Sequence, residues 1–212
     1  MQKIALFNIA DLFEADSHPS LGLGYIKSYA LREHKDTVQI KIFRENLLKN
    51  LIEYKPNLIG ISSVTQFYSQ AITFANKLRN INKSVILIIG GVHISTLPES
   101  FNDVFDCGII TEGEITFSNI ITLLLNCEFS KINLKKTEGL VFRDMGELII
   151  TKPRQLIKNL DEIPHIDRND FKHRNFNHIV SSRGCPYTCK FCSSTNFWGT
   201  RAVRYHSAQY IF

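Results

Sequence analysis

Cysteine is scarce in this chain: only five of its 212 residues are cysteines, and three of them fall within eight residues. An odd number of clustered cysteines excludes the disulfide framework of a small secreted protein. The chain also lacks long hydrophobic runs, since the longest, residues 85–89, is far too short to cross a bilayer. Its first residues lack the layout of a signal peptide. We therefore expect a cytoplasmic protein with no membrane partner.

Charge of one sign is not in large excess, but the net charge of +5 is unevenly placed. Residues 165–212 hold seven basic and two acidic side chains, which accounts for the whole excess. A basic segment can indicate nucleic acid, an anionic cofactor, or half of a domain whose acidic half is absent. Because no known nucleic-acid module accompanies it, nucleic acid is the least favoured partner. A hydrophobic content of 44% is ordinary for a globular core and excludes general disorder.

Strand and helix patterns alternate along the first 127 residues. Apolar strands are predicted at residues 4–7, 58–62, 85–89 and 108–110, a half-exposed strand at 38–42, and helices at 21–33, 47–52, 67–78, 97–101 and 117–125. This alternation predicts an α/β fold, a doubly wound, Rossmann-like domain with a five-stranded parallel sheet. The half-exposed strand belongs at an edge, which favours strand order 2-1-3-4-5. A ligand crevice is then expected at the carboxyl ends of the first and third strands.

Residues typical of a ligand site follow these strands. The relevant stretches are Pro19-Ser20-Leu21-Gly22-Leu23-Gly24-Tyr25, Ser62-Ser63-Val64-Thr65, Gly90-Gly91-Val92-His93 and Thr111-Glu112-Gly113-Glu114. Glycines let the backbone approach a flat ligand closely, and hydroxyl groups offer hydrogen bonds. The four loops are therefore candidates to form one binding site.

A second candidate site lies in the stretch Ser181-Ser182-Arg183-Gly184-Cys185-Pro186-Tyr187-Thr188-Cys189-Lys190-Phe191-Cys192. Three thiolates on one loop can hold an iron–sulfur cluster or contribute to a zinc site. On a four-iron cluster they would leave one iron open. A closed zinc site needs a fourth ligand, for which His173, His178 and His206 are available, and this alternative stays open. Cys107 and Cys127 are isolated, and we interpret them as packing residues.

The cysteine motif, with Phe191 before its last cysteine, resembles the cluster loop of the radical S-adenosylmethionine (SAM) enzymes. In that family SAM binds to the open iron, and an electron from the cluster breaks the S–C5′ bond to give a 5′-deoxyadenosyl radical. The resemblance implies a 4Fe-4S cluster on Cys185, Cys189 and Cys192, with Phe191 adjacent to SAM. It also implies an electron donor of the flavodoxin or ferredoxin type.

The four loops resemble those of the cobalamin (B12)-binding domain that precedes the barrel in cobalamin-dependent radical SAM enzymes. The cobalamin contacts that this resemblance implies are Leu21, Gly22, Ser62, Ser63, Thr65, Gly90, Gly91, His93, Glu112 and Gly113. His18 is the candidate cobalt ligand, but it stands one residue too far from Gly22 for the family's Asp-x-His-x-x-Gly motif; the alternative is a solvated loop histidine. His93 has the alternative role of a loop or capping residue, and Glu112 that of an acidic residue favourable beside a helix N-terminus.

The rest of the chain is predicted to lead into a (β/α) barrel. Residues 139–142 and 147–150 flank Asp144-Met145-Gly146 as a β-hairpin, and an extended linker follows. We expect three regions: the cobalamin-binding-like domain (1–127), the hairpin and linker (128–175), and the start of the barrel (176–212), with residues 177–182 as its first strand. Because a complete barrel needs about 200 residues, we expect a barrel truncated just after the cysteine motif, with a poorly ordered tail from about Asp161.

The function implied by the resemblance is that of a cobalamin-dependent radical SAM enzyme acting on a small-molecule substrate, most often by methyl transfer to an unactivated centre. No catalytic side chain is assigned. Three alternatives stay open: an oxidative cyclase of the anaerobic magnesium-protoporphyrin ester type, a non-catalytic cobalamin module with a vestigial cluster loop, and a domain of this fold that binds no cobalamin.

Overall fold

The computed structural model describes residues 1–13, 20–171 and 178–212. Its strands are β1 (Gln2–Asn8), β2 (Val38–Ile42), β3 (Leu58–Ser62), β4 (Ile86–Gly90), β5 (Cys107–Ile109), β6 (Leu140–Asp144), β7 (Glu147–Ile150), β8 (Ser182–Arg183) and β9 (Arg204–Tyr205). Its helices are α1 (Leu21–Glu33), α2 (Leu47–Tyr54), α3 (Tyr68–Ile81), α4 (Val92–Thr96), α5 (Glu114–Leu125), α6 (Lys131–Lys136), α7 (Ser194–Trp198) and α8 (Ala208–Ile211). No helix in these ranges is long and apolar enough to span a membrane.

The central sheet has seven strands in the order β2-β1-β3-β4-β5-β6-β7. The first five run parallel in the predicted order 2-1-3-4-5, so the α/β class with a largely parallel sheet is confirmed. The count of five strands was wrong, because the β6–β7 hairpin pairs antiparallel with β5. Residues 140–142 of β6 are fully buried. The edge of β5 presents unpaired backbone N–H and C=O groups, and the apolar strand β6 pairs with them, which extends the sheet.

Adjacent residues of a strand point to opposite faces of the sheet. Because the central strands are continuously apolar, both faces are apolar, and helices cover both. Phe7 of β1 meets Phe74 of α3 edge-on, with ring centroids 5.4 Å apart. Its neighbour Leu6 points to the other face, where it lies over Gly60 of β3 together with Phe117 of α5. One continuous apolar core therefore runs through both layers.

Two short helices differ from the sequence-based expectations. Helix α4 follows β4 directly, and the helix expected at residues 97–101 is instead a single 3-10 turn at Pro98–Ser100. Helix α6 lies in the region predicted as hairpin and linker (128–175), where no helix was expected, because its one fully buried residue, Leu134, is flanked by lysines and polar side chains. A single buried residue gives too little helical periodicity to read from the sequence.

The segment after the hairpin packs against the first domain. A second apolar cluster joins Tyr25 of α1 to Ile157, Leu160 and Ile163, with Val180 packed against it. The described residues of the tail are thus held in contact, contrary to the expectation of a poorly ordered tail.

The expected first barrel strand is also shorter than predicted. Within the described part of residues 177–182, only Ser182 is in a strand, and β8 pairs antiparallel with β9 rather than in a parallel barrel. The pairing brings Ser182 opposite Tyr205 and Arg183 opposite Arg204.

Candidate functional site

A cavity of about 420 Å³ lies at the carboxyl ends of the parallel strands. Its floor is the sheet and the first turns of α1, and its opposite wall comes from the tail. The lining residues are Leu6, Ser20, Gly22, Leu23, Tyr25, Ile26, Gly60, Ile61, Ser62, Ile88, Gly90, Gly91, Ile109, Thr111, Glu112, Gly113, Glu114, Phe117, Val180, Ser182, Arg183, Phe197 and Trp198. Its volume and mainly apolar lining are those of an ordinary small-molecule pocket.

Glycines make room for a ligand at two places in this cavity. A Cβ atom added to Gly22 of α1 or to Gly90 of β4 would meet no heavy atom within 4 Å. Gly22 is the second residue of α1 and Gly90 the last of β4, and neither has a positive φ, so the local backbone does not require glycine at either position. The space that their side chains leave free belongs to the cavity, and this fits a ligand that lies flat against the backbone.

Gly91 has a different role, because it shapes the turn from β4 into α4. Its φ of 97° and ψ of −174° lie in a region that is essentially restricted to glycine. An added Cβ would lie 2.6 Å from the carbonyl oxygen of Ser63. The tight turn holds the β3 and β4 loops side by side at the floor of the cavity.

A buried group of four charged side chains closes one side of the cavity. Arg183 donates to Glu112 Oε1 at 3.0 Å and to Glu114 Oε1 at 2.7 Å. Arg204 donates to Glu112 Oε2 at 2.9 Å, and the same carboxylate oxygen accepts from the backbone N–H of Ile157 at 2.8 Å. Burial opposes the charge of Arg183, but the two carboxylates outweigh it and raise the pKa of the guanidinium. Two cations and two anions thus neutralise one another.

These ion pairs account for part of the uneven charge seen in the sequence. Two of the basic residues of the tail, Arg183 and Arg204, find their acidic partners in the first domain. In the other direction, Lys27 of α1 pairs with Asp170 of the tail at 2.6 Å. Part of the basic segment is therefore complemented within the chain.

Six of the predicted cobalamin contacts line the cavity: Gly22, Ser62, Gly90, Gly91, Glu112 and Gly113. The other four, Leu21, Ser63, Thr65 and His93, do not line it. Ser63 is buried and donates its hydroxyl hydrogen to the carbonyl of Val64. No histidine within the described ranges lines the cavity. His18, the candidate cobalt ligand, lies outside the described residues.

His93 is held in a polar network below the cavity. Its Nδ1 lies 3.1 Å from Thr65 Oγ1, and its Nε2 lies 2.9 Å from Ser100 Oγ. The hydroxyl of Ser100 donates to Leu97 O, so it accepts from Nε2–H, and Nδ1 accepts from Thr65. The ring stacks on Tyr68 at 3.8 Å, and burial lowers the pKa of His93. Both nitrogens of His93 are thus engaged with side chains of the protein, and a contact of His93 with cobalamin stays a prediction.

The three clustered cysteines follow Arg183 directly. Gly184 has a φ of 110°, and an added Cβ would collide with the carbonyl oxygen of Ala202, so this glycine sets the direction in which the loop leaves β8. Cys185 is half-buried, Cys189 and Cys192 are exposed, and Phe191 is 93% exposed. In the part of the chain that is described, no three His, Cys, Asp or Glu side chains are arranged to hold a metal ion. The cluster ligands stay a prediction.

Neither His178 nor His206 forms a group with the cysteines that could hold a metal ion in the described part of the chain. His206 is buried and its Nδ1 lies 3.1 Å from Asp161 Oδ1. Its ring stacks on Tyr210 at 3.9 Å. His173 lies outside the described residues.

The sequence did not single out several residues that complete the cavity. Gly60 and Phe117 lie inside regular elements and were interpreted as core, while Arg183 was considered only as part of the cysteine motif. A glycine inside an otherwise apolar strand is the one signal that pointed to Gly60, since it often marks a close approach of a ligand or another backbone.

Comparisons with known proteins agree with this geometry. The sequence profile of the family described as "B12 binding domain" matches residues 6–121. An uncharacterized methyltransferase of Pyrococcus horikoshii is 31% identical over 207 residues, covering 91% of this chain and 44% of that protein. An anaerobic magnesium-protoporphyrin IX monomethyl ester cyclase of Rubrivivax gelatinosus is 22% identical over 195 residues, covering 85% of this chain and 35% of that protein.

A solved structure shares the fold over the whole chain. It is the radical S-adenosylmethionine methyltransferase TsrM from Kitasatospora setae with cobalamin and a 4Fe-4S cluster bound, with a TM-score of 0.74 and 16% identity. The alignment covers 100% of this chain and 44% of that one. The chain belongs to the B12 binding domain family. It spans less than half the length of these relatives.

Proposed function

We propose that this chain acts in cobalamin-dependent radical SAM chemistry, with cobalamin in the cavity and a 4Fe-4S cluster on Cys185, Cys189 and Cys192. One observation carries the proposal: Ser182 and Arg183, immediately before the cysteine loop, line the same cavity as the strand ends of the B12 binding domain. A cofactor in the cavity would therefore lie next to the loop that would hold the cluster.

The residues of the cavity fit one face of a corrin ring; the cavity is smaller than a whole cobalamin, the rest of which would extend beyond it. Gly22 and Gly90 leave backbone surface open to a flat ring, and Ser62 offers a hydroxyl group at the end of β3. Phe117 and Trp198 contribute apolar walls that exclude water from a bound cofactor. When bound, cobalamin supplies a methyl carrier, and a cluster with one open iron supplies the electron that cleaves SAM.

Methyl transfer to an unactivated centre of a small-molecule substrate is the reaction class that we propose. The support is the 31% identical relative, which is named a methyltransferase. Oxidative cyclisation is the second candidate, because a 22% identical relative is named an anaerobic magnesium-protoporphyrin IX monomethyl ester cyclase. We further propose an electron donor of the flavodoxin or ferredoxin type and a cytoplasmic setting.

Anaerobic iron–sulfur reconstitution tests the cluster half of this proposal. We expect about four iron and four sulfide per chain, as in clusters of this type. A Cys185→Ala, Cys189→Ala, Cys192→Ala variant should lose both, whereas a Cys127→Ala variant, which removes an exposed cysteine outside the motif, should retain both. Equal metal content in all three proteins would refute the assignment.

The reconstituted protein then permits a test of the chemistry. With SAM and a reductant, we expect 5′-deoxyadenosine, detected by mass spectrometry, and none from the triple variant. A cluster that forms without any cleavage of SAM would support a non-catalytic cobalamin module instead.

A further inference from the structure

Two arginines face each other across the β8–β9 pair, which is unfavourable by itself. Arg183 and Arg204 are directly opposite in the register, and like charges in such a position repel. The carboxylate of Glu112 lies between them, with one oxygen 3.0 Å from Arg183 and the other 2.9 Å from Arg204. Docking on Glu112 therefore offsets the repulsion between the two arginines and favours this pairing.

Whereas Arg204 pairs with one buried carboxylate, Arg183 pairs with two. Its side chain is 9% exposed, and it bridges Glu112 to Glu114, whose side chains are 6% and 4% exposed. Its guanidinium also lies over the ring of Tyr25, 5.3 Å from the centroid. All three of its partners line the cavity, and Arg183 itself lines it. A planar, five-donor group is required here, because a lysine ammonium cannot reach two carboxylates in this fork geometry.

We propose that Arg183 is a positioning residue that couples occupancy of the cavity to the order of the cysteine loop. This inference rests on the proposed function, since the occupant is cobalamin. A ligand that fills the cavity holds Glu112, Glu114 and Arg183 in their paired arrangement. Arg183 then fixes the start of the loop, because Gly184 and Cys185 are the next two residues of the chain.

The loop itself offers a clean reporter for this coupling. None of residues 184–196 lines the cavity, whereas Ser182, Arg183, Phe197 and Trp198 on either side do. These residues therefore do not form the wall that an occupant of the cavity meets. Because a whole cobalamin is larger than a cavity of about 420 Å³, comparison of the wild type with Arg183→Gln separates protection transmitted through Arg183 from protection by direct contact.

Hydrogen exchange of the cluster-free chain, followed by mass spectrometry of peptides within residues 185–192, tests the inference with cyanocobalamin as the probe. In the wild type, saturating cyanocobalamin should slow exchange in this loop by about fivefold or more, the lower end of ordinary site-to-site coupling. In Arg183→Gln the slowing should be lost, with both proteins compared at cyanocobalamin concentrations that saturate the visible spectral change. Asp170→Asn, which weakens another buried ion pair between tail and domain, is the matched control and should keep it.

A second variant guards against a folding defect. Glu114→Gln removes one charged partner of Arg183 and should reduce the slowing to an intermediate value; far-UV circular dichroism at the exchange temperature confirms that each variant is folded. Loop protection that persists in Arg183→Gln, or a wild-type loop that does not respond to bound cyanocobalamin, would overturn the coupling alone. Absence of cyanocobalamin binding to the wild type would overturn the coupling and the proposed function together, and the spectral titration distinguishes this result.

Discussion

The same substitution at two adjacent glycines should have opposite effects on stability. In Gly91→Ala, the new residue must adopt a φ of 97° and a ψ of −174°, a conformation that costs a non-glycine residue about 1–3 kcal/mol. Its Cβ would also lie 2.6 Å and 2.9 Å from the backbone oxygen and nitrogen of Ser63. That backbone is held by two hydrogen bonds, from Ser63 N to Gly90 O and from His93 N to Ser63 O, so it has little room to move.

Gly90→Ala meets none of these obstacles. The added Cβ has no heavy atom within 4 Å, and Gly90 lies in a regular strand paired with Ser62. Loss of backbone freedom in the unfolded chain should then stabilise the protein by about 0.4–1 kcal/mol. For a chain of this size each kcal/mol shifts the melting temperature by about 2–4 °C.

Thermal unfolding followed by far-UV circular dichroism measures both effects. Gly91→Ala should melt roughly 2–12 °C below the wild type. Gly90→Ala should melt at or slightly above it. Equal melting temperatures for the two variants, or a loss of stability confined to Gly90→Ala, would refute the assignment of Gly91 to the turn and Gly90 to the open wall.

Three further predictions concern charge and packing around the site. Burial holds the pKa of His93 below 6.5, so the unfolded chain binds the proton first as the pH falls, and stability should decline below about pH 6.5. His93→Gln should make the urea midpoint less dependent on pH. The same pH dependence of the midpoint in the variant and the wild type would contradict this. Glu112→Gln removes the carboxylate that Arg183 and Arg204 share, which should weaken docking of the tail by about 3–5 kcal/mol. Trypsin should then cut after Arg183 faster than in the wild type, and an unchanged cleavage rate would contradict the role of these ion pairs. Gly60→Ala places a Cβ 2.6 Å from Leu6 Cδ2 and should lower the free energy of unfolding by about 1–3 kcal/mol, measured by urea unfolding. Urea curves that coincide with those of the wild type would contradict this prediction.

Local patterns were enough to predict the parallel part of the sheet. Residues 58–62 and 85–89 are continuously apolar, as central strands are, whereas residues 38–42 alternate as an edge strand does. The β6–β7 hairpin was also readable from its turn. That it joins the sheet was not, because pairing Gly108 with Val141 is a long-range contact that no local pattern encodes.

The candidate site was predictable in part for the same reason. The glycine and hydroxyl residues that recur near the carboxyl ends of several strands indicated Gly22, Ser62 and Gly90 as candidates. The pairing of Arg183 with Glu112 spans 71 residues, and nothing near either residue indicates the other. His93 looked like a ligand contact because it follows two glycines, but the side chains around it decide its role.

The most direct test of the account is a titration with hydroxocobalamin, monitored by visible absorption, of the wild type and of Gly90→Leu. A Cβ added at this position meets no heavy atom within 4 Å and Gly90 lines the cavity, so we expect the leucine side chain to keep the fold and block the cavity. We predict a saturable spectral shift with one cobalamin per wild-type chain and none with Gly90→Leu at the same melting temperature. An identical shift in both proteins, or none in the wild type, would contradict the claim that this cavity binds cobalamin.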